Sequence, residues 1–235
     1  MKTRSGIFAV MVMLAAFVFL FSLSGAQAAT IQFDLDTVIT GGTPAGSTPW
    51  ARATVADSGP DTVTLTMENL LTSGQFISQW DFNLDPAELG NVTAGDFTPV
   101  SGFVANDTPP VLVGENQYQA GGAGNGGLYD IEFDWLTSHS HRFLGGNSAV
   151  YTITAPGLDA ADFLFLSTLA NGHDSNYYSA AHVQGIPPSD DSSWIGNTEP
   201  KQVPEPGTIL LFGTGMVLAG VLSFSLRRQA DRKAS

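Results

Sequence analysis

The chain reads as all-β, an antiparallel β-sandwich of jelly-roll or immunoglobulin-like type with an apolar segment at each end. Three observations carry that expectation. Apolar and polar residues alternate with period two along several short runs. Clusters of Gly, Pro, Asn and Asp separate those runs. The crossover helices that a parallel sheet needs are missing.

The strands follow in order. Ile31, Phe33 and Leu35 alternate with Gln32, Asp34 and Asp36, and Val63, Leu65 and Met67 alternate with Thr62, Thr64 and Thr66. Each run can bury one side and wet the other. The same pattern predicts a strand over 76–84 around Trp80, and one in which Tyr129, Ile131, Phe133 and Trp135 alternate with Asp130, Glu132 and Asp134. Further strands are expected over 149–154 and 163–169, for roughly eight to ten in all. Turn-forming clusters fall at 41–49, 57–60, 106–110 and 121–127. The one helical hint, 157–162, is a turn or two long. The order of strands stays open. No repeat of 20 to 50 residues is present, which argues against a solenoid or propeller.

The ends have a different character. Lys2 and Arg4 precede an apolar stretch over 7–21, and Ala26-Gln27-Ala28 supplies the small residues of a signal-peptidase site, placing cleavage between Ala28 and Ala29. Residues 1–28 are thus expected as a signal peptide. Near the other end, 208–226 is an apolar run of nineteen residues without Asp, Glu, Lys or Arg. As a helix it would reach about 28 Å, close to the hydrocarbon thickness of a bilayer. Its ten Leu, Ile, Val and Phe residues contribute roughly −3 to −6 kcal/mol to insertion, partly offset by glycines and hydroxyls. Arg227 and Arg228, followed by Arg232 and Lys233, act as a stop-transfer flank and place the tail in the cytoplasm.

Val203-Pro204-Glu205-Pro206 stands immediately before that run. Each proline fixes its own φ and restrains the residue before it, so the motif cannot extend the helix upward and is pre-extended for recognition. Motif, span and arginine pair in this order resemble the PEP-CTERM sorting signal of exported bacterial proteins. The resemblance covers 203–235 and implies an exosortase-type enzyme that reads the motif and removes the hydrophobic tail. It further implies a transient inner-membrane intermediate, then release to the cell surface or beyond. Residues 80–86, and 180–186 followed by 193–196, look like segments of uncharacterised exported proteins with the same tail.

Between the signals lies one domain, expected over 29–188, joined by a Ser-, Asp- and Pro-rich linker at 189–202 in which Trp194-Ile195 is placed to dock on the sandwich. Over 29–200 the only bases are Arg52 and Arg142 against twenty Asp and Glu, a formal charge of −18. Such a surface repels phosphate backbones and anionic polysaccharide, so nucleic acid is excluded as a direct ligand. Cysteine is absent, which removes disulfides, thiol catalysis and thiolate metal sites.

Candidate chemistry is sparse. Calcium is the ion best matched to abundant hard oxygen donors, and the candidate ligands are Asp34 and Asp36, Asp81 and Asp85 with Asn83 between them, and Asp130, Glu132 and Asp134. Carboxylates on paired strands would repel unless a cation sat between them. His139 and His141 share a side of an extended segment and His173 and His182 lie apart, short of a zinc set. Gly-x-Ser-x-Gly and His-Glu-x-x-His are absent, and the glycine-rich stretch 121–127 contains no Lys and opens no helix, so it reads as a flexible loop rather than a phosphate cradle. Tyr177, Tyr178 and Trp194, in polar surroundings, are candidates to stack on sugar rings, whereas Trp80 and Trp135 fall on apolar strand faces. The expected function is a non-catalytic structural or interaction role at the cell surface or in extracellular matrix. The alternative is a carbohydrate-binding adhesin supported by calcium, and an extracellular hydrolase ranks third.

Overall fold

A computed structural model describes residues 28–72, 74–102, 108–122, 125–170 and 176–203. The signal-peptide body with Ala26, the prolines Pro204 and Pro206 with Glu205, the apolar run, and Arg227 and Arg228 lie outside the described residues, as does His173. Among the described residues no helix is long and apolar enough to cross a membrane.

Thirteen strands are present among the described residues: β1 (Thr30–Leu35), β2 (Thr37–Gly41), β3 (Ala51–Gly59), β4 (Thr62–Asn69), β5 (Phe76–Phe82), β6 (Phe97–Ser101), β7 (Val111–Gln119), β8 (Leu128–Asp134), β9 (Phe143–Leu144), β10 (Ser148–Thr154), β11 (Ser179–Ile186), β12 (Asp191–Asn197) and β13 (Lys201–Gln202). They form two antiparallel sheets. The first has the order β13-β1-β3-β4-β10-β6, and the second β2-β12-β11-β5-β8-β7, with β9 added beside β5.

Alternation is the reason the two sheets adhere. Along β4 every second residue, Val63, Leu65 and Met67, is fully buried while the threonines between them are half-buried. Along β5 and β8, Trp80, Phe82, Ile131 and Phe133 face the same core from the other sheet. Phe82 is its aromatic centre, stacked on Trp80 at 6.1 Å and edge-on to Phe33, Phe133 and Phe163 at 6.2, 6.0 and 6.4 Å. Such pairs add about 0.5–1.5 kcal/mol each beyond their burial.

The strand count exceeds the eight to ten expected, and two further expectations need correction. The linker expected over 189–202 is largely strand: β12 pairs with both β11 and β2, and β13 closes the edge of the first sheet against β1. Its polar composition misled because Ser193 and Asn197 are buried by hydrogen bonding rather than by apolar character. Ser193 Oγ donates to the Thr40 carbonyl at 3.0 Å, and Asn197 Nδ2 to the Asp34 carbonyl at 2.9 Å. The domain therefore runs to Gln202. The strand expected over 163–169 is also absent. Asp159 caps a 3-10 helix at Ala160–Phe163, accepting from the Ala161 backbone at 2.7 Å, and beyond it only Thr168 makes an isolated bridge to Leu128. The helical hint over 157–162 marks that short helix.

Candidate functional site

In the second sheet Ala181, Val183 and Ile195 point into the core, which turns His182 and Trp194 outward by the period of the strand. Side-chain rows therefore cross the outer face. One row runs Thr40, Trp194, His182, Gln79, Asp134, and the next Gly196, Ala180, Asp81, Glu132, Leu112.

Part of the second row is roofed. Ala120, Tyr129 and Ala180 form a small apolar cluster with Ile39, Tyr118 and Trp194 packed against it. The glycine-rich stretch is pinned there. The Gly121 carbonyl accepts from Thr40 Oγ1 at 3.1 Å, and the Gly126 carbonyl accepts from the Tyr129 hydroxyl and from Ser167 Oγ, both at 3.0 Å. Gly196 has no room for a side chain, since a Cβ there would stand 2.7 Å from the Tyr177 ring.

Asp81 is fully buried and sits directly opposite Glu132. Gln79 Nε2 lies between them, donating to the Asp81 oxygens at 3.1 and 3.2 Å and to Glu132 Oε2. Burial pushes the Asp81 carboxyl well up, against the pull of the Gln79 hydrogen bond, and the charges of Glu132 and Asp134 add to the rise. Glu132 is raised by burial and by Asp134. An amide donor thus bridges the pair.

The other carboxylates proposed as metal ligands are scattered. Asp34 is an ion-pair hub, accepting from Arg52 Nε at 2.7 Å, Lys201 Nζ at 2.6 Å and Gln32 Nε2 at 3.0 Å. Burial raises its carboxyl, but the hydrogen bonds and charges of Lys201 and Arg52 outweigh that and hold it below the usual range. Asp36 is exposed and accepts from Thr37 Oγ1, and Asp85 closes a turn through the Ala87 backbone. Asp130 accepts from two backbone N–H groups. Among the described residues no group of three or more His, Asp or Glu side chains is arranged to hold a metal ion.

Of the aromatics proposed for sugar stacking, Tyr177 is buried at 7 % exposure and Tyr178 packs half-buried against the main core. Trp194 is half-buried on the outer face, stacked on the His182 imidazole with ring centres 4.9 Å apart and planes 16° from parallel. Beside that stack opens a cavity of about 470 Å³ lined by Phe76, Arg142, His182, Gln184, Asp190 and Asp191, with Gly185 and Ser192 completing it.

Sequence reasoning set His182 aside with the surface histidines, and its surroundings give it a defined role. Gln184 Nε2 donates to Ser78 Oγ at 2.9 Å, and Ser78 Oγ is in turn hydrogen-bonded to His182 Nδ1 at 3.0 Å, which fixes the orientation of the ring. Burial lowers the His182 pKa, so the ring is neutral at neutral pH. Arg142 lies 4.1 Å above the Phe76 ring and donates through Nε to the Thr137 carbonyl at 2.7 Å, which orders the guanidinium at the cavity rim. The cavity thus combines an imidazole, an amide, a guanidinium and two carboxylates. Period-two alternation was the available signal, since it sets His182 and Gln184 on one side of a strand.

Known proteins inform the C-terminal end of the chain. None of the curated proteins compared matches it, and no solved structure does. Residues 202–229 match the family model described as the PEP-CTERM protein-sorting motif. The motif begins where β13 ends, and with it the chain is an exported protein carrying the sorting signal that an exosortase-type enzyme processes.

Proposed function

We propose that the exported domain is a non-catalytic interaction module that binds neutral polysaccharide on the outer face of its second sheet, at the cell surface or in extracellular matrix. The observation that carries this reading is the cavity beside the stacked His182 and Trp194 rings. Vicinal hydroxyls both donate and accept, and the lining offers matched partners: Arg142 to donate, Asp190 and Asp191 to accept, and His182 and Gln184 to do either. The indole and imidazole rings supply a flat, partly apolar border. The acidity of the domain favours a neutral glycan over an anionic one.

The polar network supports binding rather than hydrolysis. Ser78 is 5 % exposed, and its hydroxyl is held between Gln184 Nε2 and His182 Nδ1, so it orients the imidazole. No carboxylate hydrogen-bonds His182 among the described residues. Signal peptidase, a membrane-held intermediate with a cytoplasmic tail, and exosortase-type processing complete the proposed route.

Retention on immobilised neutral glycans tests the reading. Wild-type protein should bind, Gln184→Ala should weaken retention while the protein stays folded, and Trp194→Ala should weaken it too, with a melting temperature lowered by the lost packing. Absence of wild-type retention across a broad neutral set would overturn it.

A further inference from the structure

A second concavity, of about 50 Å³, lies past the end of β5, where Asn83 and Leu84 meet the β7 residues Glu115 and Asn116, Asp130 of β8, and Leu166 with Thr168. It shares no residue with the cavity proposed for glycan.

Its chemistry is unbalanced. Asp130 is 6 % exposed, with Oδ1 accepting from the Asn116 backbone at 2.8 Å and Oδ2 from the Leu84 backbone at 3.2 Å. Asn116 takes a left-handed φ of 52° at this point, which turns its N–H toward the carboxylate. Each Asp130 oxygen keeps a further lone pair. Burial raises the carboxyl against those two hydrogen bonds, and the charge of Glu115 raises it further. No protein cation answers the two charges. The bases among the described residues are Arg52 and Lys201, both committed to Asp34, and Arg142, bound at Thr137 over Phe76.

Asn83 supplies an independent sign. It is 2 % exposed, it lines this concavity, and its buried Nδ2 has no hydrogen-bond partner. Leaving such a group unsatisfied costs about 1–3 kcal/mol. Turning the amide by 180° exchanges nitrogen for oxygen at unchanged shape and presents a carbonyl ligand in the same place.

We infer that this concavity is a calcium site, with Asp130, Glu115 and the Asn83 side-chain oxygen as protein ligands and water completing the shell. The donors are hard oxygens with neither imidazole nor thiolate, which disfavours zinc. Two carboxylates from within β7 and β8 and an amide just past the end of β5 make an irregular set, which calcium accepts and magnesium, with its demand for regular octahedral geometry, does not. The volume admits an ion and few waters. Binding here would tie the end of β5 to the β7–β8 pair.

Equilibrium dialysis and thermal melts of the exported protein, stripped with chelator and titrated with calcium or magnesium chloride, test the site. Calcium should bind at one saturable site and raise the melting temperature, and magnesium should leave it unmoved. Glu115 is exposed, so Glu115→Gln should keep the ion-free melting temperature and weaken calcium binding about tenfold or more. Asn83→Asp, which adds a charged oxygen at equal size, should tighten it. No bound calcium, or calcium binding unchanged in Glu115→Gln, would overturn the assignment.

Discussion

The backbone nitrogen of Ala29 lies 2.7 Å from Oδ2 of Asp57, whose other oxygen accepts from the Ala160 backbone, also at 2.7 Å. One carboxylate on β3 thereby holds the start of β1 and the start of the 3-10 helix. Ala29 is also the first residue after the expected signal-peptidase cut, which would convert this amide into an ammonium group. Cleavage at that bond is expected to precede folding, because the Ala29 nitrogen is afterwards held against β3. N-terminal sequencing of the exported protein should begin at Ala29. Asp57→Asn should cost the processed protein about 1–3 kcal/mol, the range for hydrogen bonds to charged groups. A sequence starting elsewhere, or a variant with unaltered urea midpoint, would refute this role.

Asp34 should act as an acid-sensitive clamp on the sheet edge. Its carboxyl is held below the usual range when folded, so its contribution is present above the unfolded value near 3.8 and is lost as pH falls through the folded value. Asp34→Asn should lower stability by roughly 1–3 kcal/mol at pH 7, since it leaves two cations facing a neutral group at a site 6 % exposed. Lys201→Ala should cost about 1 kcal/mol or less, because that side chain is 63 % exposed. Urea unfolding from pH 2 to 7 should show wild type and Asp34→Asn converging at the acid end.

Asp81 predicts the reverse sign. Its folded carboxyl is raised well above 3.8, so the native state binds more protons than the unfolded one through that window. Stability therefore falls as pH rises through it, and the deficit persists above. Asp81→Asn keeps an acceptor for Gln79 and removes the charge facing Glu132. It should stabilise by about 1–3 kcal/mol at pH 7, as neutralising an uncompensated buried charge can, with the gain vanishing below about pH 4. A destabilised variant at pH 7 would mean that the ionised form is required.

How much of this could be read beforehand depended on which physical signal each residue carried. β1, β4, β5, β8 and β10 were readable because each combines large apolar residues with strict alternation, as Val63, Leu65 and Met67 do. β11 and β12 hide theirs behind the small residues Ala180, Ala181, Gly185 and Gly196, of which Gly196 is small because the Tyr177 ring lies directly over it. β7 is interrupted where Asn116 turns left-handed, so the alternation breaks midway. The acids fared similarly. Asp81 opposite Glu132 was foreseeable as repulsion but required register, whereas the cation partners of Asp34 come from 18 and 167 residues away. The Asn83, Glu115 and Asp130 grouping joins the end of β5 to residues inside β7 and β8, and no spacing along the chain announces it.

The ladder between β13 and β1 reaches the doorstep of the sorting motif. Ile31 and Gln32 pair with Gln202 and Lys201, and the Val203 N–H donates to the Thr30 carbonyl at 2.9 Å. Pro204 and Pro206 have no N–H and so have no backbone donor to offer a ladder. An enzyme that grips the chain at Pro204 must therefore work beside a held edge strand, and loosening that strand should help it. Lys201→Ala removes the Asp34 ion pair, worth about 1 kcal/mol at most, and should raise the processed fraction in a pulse-chase by up to about fivefold. Six to eight Gly and Ser residues inserted between Val203 and Pro204 should give the same gain in the wild-type background and render Lys201→Ala without further effect. Equal processing in all these forms would show that β13 does not limit access to the motif.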